Sequence, residues 1–137
     1  MTAVLSTLAF ALWTLFLVIA VLLNRGYVMV DEKAPVNAFP AGVPHGGDRY
    51  WRLNRAHLNA TENVGIVAAV LLGAVVAGGS GRLLELLPPV IVVARVVQSL
   101  VHVASGSRAA VTVRVTAFVT QVLCLGAIAI ETMLRIA

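Results

Sequence analysis

Arg49-Tyr50-Trp51-Arg52-Leu53-Asn54-Arg55-Ala56-His57-Leu58-Asn59-Ala60-Thr61-Glu62-Asn63 runs directly into the apolar stretch Val64–Ala77. Within it Arg52, Arg55, Asn59 and Glu62 are spaced i, i+3, i+7 and i+10, which on a helix draws one polar stripe. A helix carrying that stripe into a bilayer holds Asn59 and Glu62 at the membrane edge or about one to two turns inside it. Ionisable groups at such a depth are costly unless they are paired or face an aqueous cavity. The stretch therefore marks both a membrane entry point and a first set of candidate functional residues.

The composition agrees. The chain of 137 residues is 60% hydrophobic and 12% charged, with a mean hydropathy of +0.96. Soluble domains carry about 25% charged residues, so this chain has too little polar surface to stay dissolved alone. The formal net charge is +4. Aromatic residues are few and most basic residues flank or enter apolar runs. That pattern suits lipid headgroups or an anionic small molecule, and nucleic acid is not expected as a partner. Cys124 is the only cysteine, which excludes an intramolecular disulfide and a cysteine metal cluster. Between Leu123 and Leu125 it reads as a buried, inert thiol.

The pattern predicts an all-α integral membrane four-helix bundle in one transmembrane domain, residues 1–137, with helices over about 3–28, 50–77, 88–104 and 108–135. Residues 1–24 contain no charged side chain, and Ala3–Leu23 alone spans the ~30 Å of a hydrocarbon core. No basic n-region precedes it, so a retained helix is expected rather than a signal peptide. Residues 31–48 read as a loop, with Pro35, Pro40 and the turn-forming Pro44-His45-Gly46-Gly47. Tyr50 and Trp51 suit the water–lipid interface. Gly65, Ala69, Gly73 and Ala77, spaced by four, form a small-residue ladder for close approach of another helix, within the subunit or between subunits. Gly78-Gly79-Ser80-Gly81 is a turn, and Pro88-Pro89 is expected in the first turn of helix three. Ser105-Gly106-Ser107 turns the chain into helix four.

Four helices put both termini on one side. Arg25, Lys33, Arg49, Arg52 and Arg55 flank the first loop, Arg108 the third, with Arg114 not far inside. Arg82 and Arg135 lie at the opposite face. The positive-inside rule then places both connecting loops in the cytoplasm and both termini on the non-cytoplasmic side. In an up-down bundle the polar stripes meet at the cytoplasmic end. Helix two brings Arg52, Arg55, Asn59 and Glu62. Helix three brings Arg95, Gln98 and His102, at i, i+3 and i+7. Helix four brings Arg114, with Gln121 seven further on the same face. An excess of arginines calls for an anionic guest, because guanidinium grips carboxylates two-pronged. Glu62 suits an ammonium, and a small zwitterionic peptide with two carboxylates fits the pattern. Plainer readings stand beside this one: arginines at helix ends snorkel to headgroups, and Glu62 pairs with Arg55 or Arg95. No metal site is expected, since His57 and His102 lack a third ligand, His45 lying in the loop.

The segment Arg52-x-x-Arg55-Ala56-His57-x-Asn59-x-x-Glu62-Asn63 resembles the helix-two signature of the MAPEG proteins, the membrane-associated proteins in eicosanoid and glutathione metabolism. Pro44-His45-Gly46-Gly47 and Ala94-Arg95-Val96 look like the same family, and the resemblance runs over about residues 44–120. It implies a homotrimer with sites between subunits near the cytoplasmic face, and glutathione as cosubstrate. Carried over by position, Arg55, Asn59 and Glu62 hold the tripeptide, with Arg95 joining from helix three. Arg114 resembles the arginine assigned to thiolate stabilisation, and Lys33 or Arg25 stands for the basic residue ending helix one. The sequence departs from the well-known glutathione-using members, which carry tyrosine two turns after the position of Arg95: it has His102 there, with Gln98 one turn after Arg95, and Asn63 follows Glu62 where some members also have tyrosine.

The resulting expectation is a glutathione-dependent transferase or peroxidase. Its cationic pocket, with Gln98 among the binding residues, holds the peptide. Arg114 favours the thiolate, and His102 gives or takes a proton. A lipophilic small-molecule electrophile or hydroperoxide arrives through the bilayer. The alternative is a non-catalytic membrane module that binds an anionic lipid or a partner helix. A transporter is disfavoured by the absence of an inverted repeat.

Overall fold

Four apolar runs, separated by glycine and proline punctuation, become four long helices: α1 (Thr2–Asp31), α2 (Asp48–Val76), α3 (Arg82–Ala104) and α4 (Arg108–Ile136). The structure, a computed structural model, describes residues 1–40 and 42–137; Ala41, within the expected loop, lies outside the described residues. Each helix is long and apolar enough to cross a membrane. The outer surface is correspondingly greasy: Leu12, Ile19, Leu100 and Leu123 are all more than half exposed. Lipid tolerates such a surface and water does not.

α2 and α3 form the centre. α1 packs on both of them, α4 packs on both from the other flank, and α1 and α4 do not meet among the described residues. The core is assembled from Phe10, Val67, Leu71, Ile91, Leu125 and Ile128, with Ala3 and Ala74. Between membrane helices the cohesion comes from close packing rather than from expulsion of water.

Helix ends show how the chain meets its hydrogen-bonding obligations. Beyond α2, Gly78 takes a left-handed φ of +71°. The Gly79 N–H then donates to the Ala74 carbonyl at 2.9 Å and the Gly78 N–H to Val75 at 3.0 Å, a glycine cap that consumes orphan carbonyls. A Cβ on Gly79 would lie 2.6 Å from the Ala74 oxygen. Ser107 caps α4 by accepting from the Ala110 N–H. Arg52 Nε donates to the Val103 carbonyl at 3.2 Å, so the start of α2 closes the end of α3. At the other end Arg135 pairs with Glu131 at 2.7 Å and donates to the Ser80 carbonyl, tying the tail of α4 to the α2–α3 turn.

Two expectations need correction. α3 begins at Arg82, six residues before Pro88, and both prolines lie inside it. Leu84 and Leu87 pack against the core and hold that turn helical, while Pro88 and Pro89 remove only two bonds, those to the first-turn carbonyls. Cys124 is half-buried rather than buried, packed on the core along one side.

The loop between α1 and α2 is held by an aromatic and polar clamp. Arg25 Nε donates to the Tyr50 hydroxyl at 2.8 Å. His45 Nδ1 lies 2.7 Å from the Val43 carbonyl, which can only accept, so the ring proton sits on Nδ1. In the neutral ring Nε2 then accepts from the Tyr50 hydroxyl at 3.2 Å. Phe39 lies beneath the Arg25 guanidinium, 5.4 Å from it. Tyr50 is thus a buried junction and not only an interface anchor. Tyr50→Phe should lower stability by roughly 1.5–3 kcal/mol, the scale of a bond to a charged donor. Thermal melting in detergent and limited proteolysis of the loop test this; unchanged melting and digestion would show that water replaces the hydroxyl.

Candidate functional site

Three helices each present an i, i+4 pair to one space. Residues four apart share a helix face, and here Arg55 and Asn59 of α2, Gln98 and His102 of α3, and Arg114 and Phe118 of α4 line a cavity of about 350 Å³, with Val115 completing the wall. It lies at the end of the bundle where Arg52 meets Val103. Its polar lining is rich in donors. Two guanidiniums face two carboxamides and an imidazole, and no carboxylate is among the lining residues. Such a lining suits an anion.

Five of the seven expected site residues therefore converge: Arg55, Asn59, Gln98, His102 and Arg114. Arg95 and Glu62 stand elsewhere. Arg95 is 1% exposed. Its guanidinium lies 5.2 Å from the Phe10 ring centroid, and Nη1 donates to the Asn59 backbone carbonyl at 3.3 Å. Among the described residues Nε and Nη2 have no hydrogen-bond partner. Arg95 thus braces the backbone of Asn59 from inside the bundle, without lining the cavity. Glu62 is exposed on the outer face of α2, and its expected pairing with Arg55 or Arg95 does not form within the chain.

Behind the cavity Gln121 of α4 makes a contact that the sequence showed only as a position on the Arg114 face. Its Nε2 donates to Gln98 Oε1 at 3.0 Å and to the Ala117 carbonyl at 3.1 Å. Gln121 is 2% exposed and Gln98 9% exposed. Val115 and Phe118 were also missed; Phe118, four residues after Arg114, was readable from helical spacing alone.

Phe118 belongs to two spaces. On its other side an apolar groove of about 380 Å³ runs between α2 and α4, past Ile66, Val70 and Val122. A polar, donor-lined cavity and a greasy groove thus share one aromatic wall.

The remaining basic residues sort by contact. Arg52 caps α3 and Arg25 is committed to Tyr50 and Phe39. Lys33, Arg49 and Arg108 are exposed. Among the described residues no three His, Cys, Asp or Glu side chains come together as a metal-binding group.

The arrangement sets a donor-lined cavity suited to an anion beside an apolar groove. No individual curated protein matches the chain. The model of the MAPEG family matches residues 3–134, all four helices and the whole site included. This four-helix membrane protein belongs to the MAPEG family.

Proposed function

We propose that the chain is a glutathione-dependent membrane enzyme, a transferase or peroxidase acting on lipophilic electrophiles. The observation that supports this is the convergence of Arg55, Asn59, Gln98, His102 and Arg114 on a cavity whose Phe118 wall also borders an apolar groove. A peptide with two carboxylates requires fixed cations and amide donors. An electrophile dissolved in the bilayer requires an apolar approach. Both requirements meet at Phe118.

In this reading Arg55, Asn59 and Gln98 hold the peptide, and Arg114 stabilises its thiolate against the thiol. The thiolate sulfur forms a bond to an epoxide carbon as the C–O bond breaks, or to the distal oxygen of a hydroperoxide as the O–O bond breaks. In both the oxygen that departs as alkoxide takes up a proton, with the His102 N–H placed to hydrogen-bond to it. Arg95 acts by bracing Asn59. The cavity, at about 350 Å³, lies within the roughly 300–1,000 Å³ typical of small-molecule sites. Glu62, exposed on α2 beyond Arg55, is the carboxylate proposed to meet the peptide's ammonium.

The assembly proposed is a homotrimer with α2 at the subunit contacts. Gly65, Ala69 and Gly73 are exposed on the single chain, which removes the within-subunit use of the ladder. The proposed topology is up-down, with the 31–48 loop in the cytoplasm and both termini opposite. Contacts at the two ends support it: Arg25 with Tyr50 and Arg52 with Val103 at one, Arg135 with Ser80 at the other.

The alternative is a non-catalytic module that binds an anionic headgroup or a partner helix. Arg49, Arg55 and Arg108, exposed near the same end, favour it. Titration of the purified protein with glutathione, followed by calorimetry and by the ultraviolet absorbance of the thiolate, separates the two. Binding with thiolate formation supports the enzyme; neither signal, with retention on anionic vesicles, supports the module. Arg114→Ala should reduce the thiolate fraction at neutral pH roughly tenfold or more, the effect of losing one adjacent charge, while the protein stays folded. Identical thiolate titrations in wild type and variant would remove Arg114 from that role. Native mass spectrometry in detergent should show three chains; monomers or dimers alone would exclude the trimer.

A further inference from the structure

We propose that Gln121 is a positioning residue that locks the Gln98 carboxamide with its nitrogen toward the cavity, making Gln98 a directed donor that selects an oxygen-bearing anion. The proposal rests on the glutathione reading only for the identity of the guest.

The orientation follows from one backbone atom. The Ala117 carbonyl can only accept a hydrogen bond, so the Gln121 atom 3.1 Å from it must be the nitrogen. The same nitrogen lies 3.0 Å from the Gln98 carboxamide. Its two protons are then both used, one on Ala117 and one on Gln98. Gln98 must therefore turn its oxygen inward, toward α4. Its own nitrogen has no partner among the described residues and is not among the sealed, unpartnered atoms; as a lining residue Gln98 presents it to the cavity. Turning Gln121 over would set its oxygen against the Ala117 carbonyl. Turning Gln98 over would set its nitrogen against the Gln121 nitrogen. Each reversal puts like groups face to face in a medium without water to relieve them. The lock holds although Gln121 Oε1 is itself left without a partner.

A free carboxamide can offer donor or acceptor to a guest. This one offers only its N–H groups, between Arg55 and Arg114. The cavity thus discriminates against a cation or a neutral donor as well as attracting an anion, and the discrimination comes from a residue that does not line it.

Gln98 and Gln121 are the chain's only glutamines, so protein carrying nitrogen-15 in glutamine side chains shows their two carboxamides alone. The variants Gln98→Leu and Gln121→Leu assign them. In detergent-solubilised full-length protein without ligand, the Gln121 amide protons should exchange with deuterium much more slowly than those of Gln98. Equal rates, or the reverse order, would overturn the proposal. With glutathione as the probe, the Gln98 signals should shift. Gln98→Leu should weaken binding roughly fivefold or more, the scale of one hydrogen bond. Gln121→Leu should do the same, because the Gln98 oxygen then lacks its buried donor and is free to turn to the guanidiniums of the cavity, so the N–H groups are no longer fixed on the guest. In the Gln98→Leu background, Gln121→Leu should have no further effect. Additive losses would show that Gln121 acts by packing and not through Gln98. If wild type does not bind glutathione, the functional reading fails and the exchange order alone decides the amide orientation.

Discussion

Hydrocarbon answers no hydrogen bond, so every polar group that enters it has to be answered from within the protein. That constraint arranges this molecule. Backbone groups along the spans are satisfied by helix. At the ends, where helices run out of partners, Gly79, Ser107 and Arg52 supply them. Polar side chains that cannot reach the interface gather where they serve one another: Gln121 on Gln98, Arg95 on the Asn59 carbonyl. Helix packing then follows the polar contacts as much as the apolar ones, because lipid tails compete equally well for leucine and not at all for an amide.

The same constraint explains why the polar cavity lies at one end. A guanidinium does not surrender its charge, and Arg55 and Arg114 are tolerable only near the interface or around an occupied, hydrated space. Arg95 is the exception. It is deep, and its relief is partial: one carbonyl and the face of Phe10. A cation over an aromatic ring is better placed than one among aliphatic chains. The arrangement also makes α1, which contributes nothing to the cavity lining, a support for the helix contact beneath it.

The four spans and the end at which polar residues gather were legible because length, apolar runs and helical spacing are properties of the sequence itself. The start of α3 was not, because Pro88-Pro89 looks like a beginning, and only the seating of Leu84 and Leu87 on the core shows that a turn precedes it. Among the site residues, spacing gave direction but not depth. Arg95 shares a stripe with His102, yet seven residues at 1.5 Å rise set it about 10 Å deeper, below the cavity. Glu62 is seven residues beyond Arg55 on nearly the same face, which likewise sets it about 10 Å further along α2, past the cavity. Gln121 was visible as a position and not as a partner, since nothing in a single helix's pattern tells which residue of another helix it will meet. The Arg25–Tyr50–His45 clamp joins a helix end, a loop and another helix start, and local spacing carries no trace of it.

The glycines of α2 and of the turn after it look alike in sequence and differ in what holds them in place. At Gly79 any side chain would collide with the chain's own Ala74 oxygen, whereas a methyl group added at Gly65 or Gly73 meets nothing. Within one chain, natural drift should therefore preserve the first and erode the other two. The record of substitutions across related sequences thus becomes a gauge of quaternary structure: intolerance at positions 65 and 73 points to a close neighbour outside the subunit, and tolerance there points to a face that meets lipid.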